Sequence, residues 1–569
     1  MNVLTPHQRK ALNIEKSISL TANAGSGKTF VLAQRFLEII LTTSTPLNQV
    51  AAITFTDKAS GELYKKILVE LNNLLLTISN PDLKQRIEKI RKQLVSAKIS
   101  TIHSFCIDLL KEFPVEASLD ANFSTINEHK AAELIDLSIE STLRELLKDS
   151  DKQSDVKLLI RLLGSMGRLV AELSFLISKR KNVLNLIDKY YSSDKKTITD
   201  QLFRMFESNV KILFKNELPD SLTHLTIINN HVLQINPKNE FANVIKIALT
   251  NIKDADDEIS KLIKLKELSN VVLTRGGAVR KQGYLPSGNR DKVQNSIKIV
   301  ENFFSQLIEI ELTENHKKIE KELTRYILGL INVFQNVLSA YESKKWELGV
   351  LDFEDILIKT KALLENQSVR KSLSGKFKYL LVDEYQDTNE IQYEIFLPLV
   401  DDLKRGNLFI VGDEKQGIYR FRDAELQVFS KTKTDIQNVD GAESLLTLPD
   451  SFRMAPAICL FVNSLFRNLL KESRLLFNEV SASDLVCARS DDFTGKVEFL
   501  IVNSEDTNEA ELTAKKIISL KSEFKDQLKE WNDIAILVRK RASFNELQKA
   551  FIKYQIPFNL IGGTGFYQK

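Results

Sequence analysis

Ala22-Asn23-Ala24-Gly25-Ser26-Gly27-Lys28-Thr29 is a run of residue types suited to holding a chain of phosphates. Gly25 and Gly27 let backbone N–H groups converge on phosphate oxygens at the start of a helix. Lys28 can reach the β and γ phosphates, and the Thr29 hydroxyl can ligate Mg²⁺. The general pattern opens on a glycine, and Ala22 stands there instead. Asn23 beside it tolerates the left-handed backbone, which keeps such a turn available. The bland alternative is a glycine-rich turn with no ligand. The flanks argue against it, because a strand-like apolar run precedes the stretch and a helical pattern follows.

A phosphate loop hydrolyses nothing without a second carboxylate for the metal and a group that positions water. Leu380-Leu381-Val382-Asp383-Glu384 offers both at the end of an apolar run. Asp383 would hold Mg²⁺, directly or through water, and Glu384 would orient and deprotonate the attacking water. An Asp-Glu pair after a strand is, on its own, more often the solvated end of that strand. Its company here is unusual: Asp383-Glu384-Tyr385-Gln386-Asp387-Thr388.

The elements that must position these groups are legible in the apolar patterning. SISLTA (17–22), a glycine turn, a helical pattern through Ile40 and QVAAITF (49–55) form a βαβ signature, which implies a parallel sheet covered by helices. From 111 to 345 glycines and strand-like runs are few, and Leu and Ile recur at helical spacing, which predicts a helical insertion. VVLTRGGAVRKQG (271–283) interrupts it as a basic loop or short hairpin. Strand-like runs return in KYLLVDE (378–384), NLFIVGD (407–413), ESLLTL (443–448), KVEFLIV (496–502) and DIAILV (533–538). The chain reads as two sheet-based lobes, with a helical excursion inside the first.

Composition bounds the rest. A length of 569 residues implies several domains, and 79 basic against 75 acidic residues leave any polyanion site to local charge. Cys106, Cys459 and Cys487 are too scattered for a disulfide framework or a zinc or iron–sulfur site. MNVLTPHQRK lacks the features of a signal peptide, and no apolar run approaches the roughly 20 residues that span a bilayer, so a cytoplasmic protein with no membrane partner is expected.

Taken in order, the motifs resemble those of the UvrD/RecB group of superfamily 1 helicases, and within it the RecB and AddA subunits of recombinational-repair helicase-nucleases. LTPHQ (4–8) is similar to the adenine-reading segment, ANAGSGKT to the first helicase motif and ITFTDKASGEL (53–63) to the DNA-contacting motif that follows. ISTIHSFC (99–106) and LDFEDIL (351–357) resemble the AddA and RecB versions. LLVDEYQDTN (380–389), VGDEKQGIYRFRDAE (411–425) and LPDSFRMAP (449–456) match the second, third and fourth motifs. The resemblance implies a RecA-like domain of class α/β over 1–110 plus 346–448, a helical insertion over 111–345, and an incomplete second RecA-like domain over 449–569.

The resemblance also implies residue roles. Gln8 would pair its amide with the adenine edge, Arg35 would contact the nucleotide, and Phe452 would stack on adenine unless it serves a core. Gln416 would sense the γ-phosphate, and Arg453 would neutralise its transition-state charge. Single-stranded DNA is held without sequence preference by aromatic faces and backbone-tracking charge. Phe55, Thr56, Lys58, His103, Tyr419, Phe421 and Arg422 would line that groove, Phe421 standing where many family members have tryptophan. A lone histidine near an apolar helix start, such as His103, is usually structural, and on sequence grounds alone a solvated helix arginine is an equal reading of Arg35.

The implied activity is 3′ to 5′ translocation or unwinding of DNA in double-strand-break repair and recombination, with ATP and Mg²⁺. After GGTGFYQK no counterpart of the fifth or sixth motif follows, so an AddA- or RecB-like fragment is expected. An AddB- or RecC-like subunit, or a second chain bearing the missing motifs, is the expected protein partner. Two other readings stand beside it: a non-catalytic DNA- and ATP-binding remnant, and an unrelated phosphate-loop enzyme such as a small-molecule kinase.

Overall fold

The computed structural model describes residues 4–150, 152–255, 257–310, 312, 316–417, 425–470, 480–489, 493–502 and 508–561. They fall into two compact units, Met1–Thr101 with Lys376–Lys569, and Ile102–Gly375.

The first unit is built on a parallel sheet. In chain order the strands are β1 Ile18–Ala22, β2 Val50–Thr54, β3 Lys98–Thr101, the short β4 Ser124–Thr125 and β5 Val350–Leu351 of the second unit, β6 Tyr379–Val382, β7 Leu408–Gly412, β8 Leu445–Leu448, β9 Asp450–Ser451 and β10 Val486–Cys487. Six of them line up as β3-β2-β6-β7-β1-β8, every pair parallel. β2 and β7 are buried at every residue, as strands covered on both faces must be, which is why they read as unbroken apolar runs. The helices Lys28–Thr42 and Asp57–Thr77 close one core over the sheet through Val31, Leu32, Phe36, Leu63, Ile67 and Leu71. Parallel strands place all their carboxyl ends on one edge. That edge, where ligands of such sheets bind, carries the glycine turn after β1, Asp383 after β6 and Asp413 after β7.

Five of the expected strands form as β1, β2, β6, β7 and β8, and β3 adds a sixth from the head of ISTIHSFC. KVEFLIV and DIAILV do not become strands: neither has a ladder partner among the described residues, and Phe499 and Leu537 stand 74% and 96% exposed. Apolar alternation permits a strand, but cross-strand hydrogen bonds make one. β9 and β10 form a separate parallel pair.

The second unit is helical, and two apolar clusters stand out among its described residues. Helices from Glu128–Lys148 to Arg180–Tyr190 pack with the middle of the long helix His316–Leu348 around Ile139, Leu173 and Tyr341. Helices between Lys195 and Glu309 enclose Phe214, Ile228, Ile245 and Phe304. The basic stretch 271–283 is a tight hairpin, bridged between Leu273 and Val279 and turning at Gly277 (φ +80°). The unit begins at Ile102 and ends at Gly375, further out at both ends than the helical periodicity suggests. The reason is packing: helix Ile102–Glu112 lies on helix Phe353–Glu365, with the buried Cys106 thiol bonded to Thr360.

LDFEDIL owes its conformation to a buried ionic cluster. Asp352 caps the helix Phe353–Glu365 in a capping box with Asp355. The Arg180 guanidinium, 3% exposed, donates to Asp352 and Asp355 at 2.6 Å each and lies 2.8 Å from Glu354. Lys345 Nζ pairs with Asp355 and, at 3.5 Å, Asp352; the Tyr341 hydroxyl donates to Asp352 at 2.7 Å. Two cations thus face three carboxylates. Burial, with the neighbouring aspartates, outweighs Arg180 and pushes the Glu354 carboxyl up to about 7, while Arg180 and Lys345 hold Asp352 well below the carboxylate range.

A raised carboxyl stabilises the fold below its unfolded value of 4.5 and loses that contribution as pH rises through about 7. Glu354→Gln, which cannot ionise, is therefore expected to match the parent near pH 4.5 and to exceed its stability above pH 7 by about 1–3 kcal/mol. Urea unfolding at pH 5, 7 and 8.5 measures this, and a gap that does not widen with pH contradicts it.

Candidate nucleotide site

The turn between β1 and the helix Lys28–Thr42 has the shape its glycines permit. Gly25 (φ +79°) and Gly27 (φ +82°) occupy the left-handed region, and Gly27 is the helix N-cap, so its successors present free N–H groups to the sheet edge. Asn23 is not left-handed. It serves by its side chain instead: Oδ1 accepts from Lys415 Nζ at 2.8 Å, and the same ammonium reaches Ser483 Oγ at 2.8 Å. Ala22 ends β1 fully buried, in register with Leu448, and the Asn23 N–H continues that ladder to Leu448 O.

The fourth-motif stretch lies directly on this turn. Ser451 Oγ donates to Ala24 O at 2.9 Å, and the Phe452 N–H donates to Gly25 O at 2.9 Å. A methyl on Gly25 would sit 2.6 Å from Arg453 Cβ and 2.8 Å from Ser451 Oγ, so this position needs glycine for space as well as for φ. The Phe452 ring is 43% exposed, which removes the core-packing alternative, and Arg453 is exposed beside it.

Gln8 closes the turn from the other side. Its Nε2 donates to Ser26 O at 3.1 Å, and its Oε1 accepts from the Thr5 N–H at 3.1 Å within a capping box. One N–H and one lone pair of the amide stay available. Arg35 is 1% exposed, lies over the Phe409 ring, and donates to the carbonyls of Ala11, Asn13 and Lys16. It ties down the segment between the Gln8 helix and β1, so neither the solvated helix arginine nor a direct nucleotide contact is what the structure displays.

The carboxylates meet the turn across the sheet edge. Lys28 Nζ is 3.0 Å from Glu384 Oε2. Glu384 has a left-handed backbone (φ +48°), unusual for a side-chain-bearing residue, and its N–H donates to Asp383 Oδ1 at 3.0 Å. Burial first, then the Glu384 charge, pushes the Asp383 carboxyl up to about 6. Gln386 Nε2 donates to Glu384 Oε2 at 2.8 Å, Gln386 Oε1 accepts from the Asp413 N–H at 2.9 Å, and Asp413 Oδ2 accepts from Gln416 Nε2 at 2.8 Å. Lys28, Glu384, Gln386, Asp413 and Gln416 therefore form one continuous chain of polar contacts. Sequence alone does not single out Gln386 and Asp413, though both stand inside motif strings that it does.

These residues fit a magnesium–triphosphate. Ser26 Oγ is buried at the turn with no hydrogen-bond partner, and Asp383 is a buried acid crowded by a second one, an arrangement that a divalent cation and phosphate oxygens would relieve. Among the described residues no group of three or more His, Cys, Asp or Glu could hold a metal. An ion held by Thr29, Asp383 and phosphate oxygens needs none.

The expected DNA residues divide. Phe55 is half-buried after β2, and Thr56 caps the helix Asp57–Thr77 by accepting from the Ala59 N–H. Lys58 extends outward from the first turn of that helix, 87% exposed. His103 belongs to the second unit, edge-on to Phe353 at 5.3 Å, and burial lowers its affinity for a proton. Tyr419, Phe421 and Arg422 lie outside the described residues.

The UvrD-like helicase C-terminal domain family matches residues 449–569. The AddA subunit of the ATP-dependent helicase/nuclease of Listeria monocytogenes serotype 4b is 26% identical over 621 residues, covering 99% of this chain and 49% of the relative. The proteins of the same name from Pediococcus pentosaceus (24% over 615 residues, 99% and 49%) and Lactobacillus johnsonii (26% over 632 residues, 100% and 50%) are similar to the same degree. The chain spans about half the length of the curated relatives it matches. The UvrD/REP helicase N-terminal domain family matches residues 4–437, well over half of the 569, and the chain accordingly belongs to the UvrD/REP helicase family.

Proposed function

We propose that this chain is the ATP-hydrolysing motor part of a DNA helicase or translocase acting in double-strand-break repair and recombination. The observation that carries the reading is the 3.0 Å approach of Lys28 Nζ to Glu384 Oε2, which brings residues 356 positions apart to one sheet edge. Gln8 and Phe452 hold the base, and Gly25 to Thr29 cradle the phosphates. Thr29 and Asp383 would hold Mg²⁺, which would supply positive charge against the phosphates. Glu384 orients a water and takes its proton as the water oxygen bonds to the γ-phosphorus. The bond to the bridging oxygen breaks, and its electron pair leaves on ADP. Lys28, Gln416 and Arg453 stabilise the charge that develops.

Phe55, Thr56, Lys58 and His103, with Tyr419, Phe421 and Arg422, form the single-strand contacts, and translocation runs 3′ to 5′. Duplex DNA is the substrate ahead of them, and the reading places the protein in the cytoplasm. Among the described residues no helix is long and apolar enough to cross a membrane. Residues 449–569 contribute the first part of a second RecA-like lobe, and an AddB-like subunit is the proposed protein partner.

The test is ATP hydrolysis by the whole chain with and without single-stranded DNA of mixed sequence. DNA is expected to raise turnover at least about tenfold, and the stimulation to fall with salt as phosphate contacts weaken. Nucleotide binding without any DNA-stimulated turnover would instead select the non-catalytic remnant.

A further inference from the structure

We infer that Gln386 is a positioning residue for hydrolysis, one that fixes the Glu384 carboxylate and ties it to the Asp413–Gln416 turn; this rests on the proposed function. The side chain is buried, 3% exposed, and its amide is used at both ends. Nε2 faces a carboxylate and Oε1 faces a backbone N–H, so the orientation is set by chemistry: a flipped amide would oppose donor to donor and acceptor to acceptor.

Two donors, Lys28 Nζ and Gln386 Nε2, converge on the same oxygen, Glu384 Oε2. Oε1 is left as the oxygen that can take a proton from water. Bound phosphates draw the Lys28 ammonium toward themselves, and Gln386 then remains to hold a carboxylate whose left-handed backbone (φ +48°) is of the kind that persists only where the surroundings over-determine it.

A second observation supports a built contact. Gly412, the last residue of β7, has no left-handed φ to explain it. A methyl there would lie 2.5 Å from Gln386 Oε1 and 3.1 Å from the Gln386 N, so glycine makes room for this amide. A buried glutamine that merely satisfied the Asp413 N–H would need only an acceptor; the donor half is explained by Glu384. Through Asp413, the same amide sets the carboxylate that holds Gln416.

Gln386→Met keeps length and volume and removes both polar ends, and Gln386→Glu keeps the shape and replaces the donor facing Glu384 with an acceptor. At saturating single-stranded DNA both are expected to lower kcat by about 10- to 100-fold. The Kd of a fluorescent non-hydrolysable ATP analogue should stay within about threefold, and the melting midpoint within a few degrees. A loss that tracks nucleotide affinity or melting identifies a structural glutamine and overturns the inference, as does either variant turning over within about twofold of the parent. A parent chain that hydrolyses no ATP ends the proposed function and takes this inference with it.

Discussion

Glu384→Gln is expected to lower ATP turnover by roughly 10²–10⁴-fold while nucleotide binding is kept or tightened, because the amide removes the proton acceptor and leaves the cradle intact. The ion pair with Lys28 gives the prediction its second half. Lys28 is 12% exposed in its side chain and spends its charge on Glu384 at 3.0 Å. Neutralising Glu384 frees that ammonium for phosphate oxygens, so affinity should not fall. The amide introduced at 384 can still present its oxygen to Gln386 Nε2, so Gln386 need not turn, and Asp383 loses its nearest like charge, which favours its ionised, metal-holding form. Single-turnover hydrolysis paired with equilibrium binding of a non-hydrolysable analogue separates the two effects. Turnover at the parent rate would remove Glu384 from its role, and a parallel loss of affinity would make it a binding residue.

Replacement of Arg180 by alanine should cost the helical unit about 3–5 kcal/mol, the usual consequence of stripping the cation from a buried pair. Its guanidinium touches Asp352, Glu354 and Asp355, and only Lys345 would remain to face three carboxylates. Asp352 and Asp355 also form the capping box of Phe353–Glu365, so the first turn of that helix should loosen as well. Arg180→Lys should recover little, since one ammonium cannot replace the forked donors. Urea unfolding followed together with amide exchange over 352–360 reports both consequences. An unchanged midpoint, or exchange loss confined to the neighbourhood of residue 180, would show that the cluster does not hold the motif. Acid offers a cross-check: the penalty should shrink as pH falls and the carboxylates take up protons.

The parts of this protein that sequence determined are those whose chemistry is local. A turn that must approach phosphates needs glycine at Gly25 and Gly27, and strands covered on both faces must be apolar at every position, so the glycine turn and β1, β2, β6, β7 and β8 are legible without the fold. The helical character of the insertion is equally plain from its periodicity. Contacts between distant positions leave no such trace. An arginine at 180 among surface charges looks like any other, yet burial against Asp352 and Asp355 makes it a structural cation. Arg35 reads from sequence as solvated or nucleotide-bound and instead binds three backbone carbonyls. Gln386, two residues past Glu384, stands inside the second-motif string but shows no role there; its meaning comes from β7 lying beside β6 in the sheet. Strand order is a property of the folded sheet, decided by hydrogen bonds and packing between segments far apart in the chain. The same cause denies strand status to 496–502 and 533–538, whose alternation is correct but which find no bonding neighbour among the described residues.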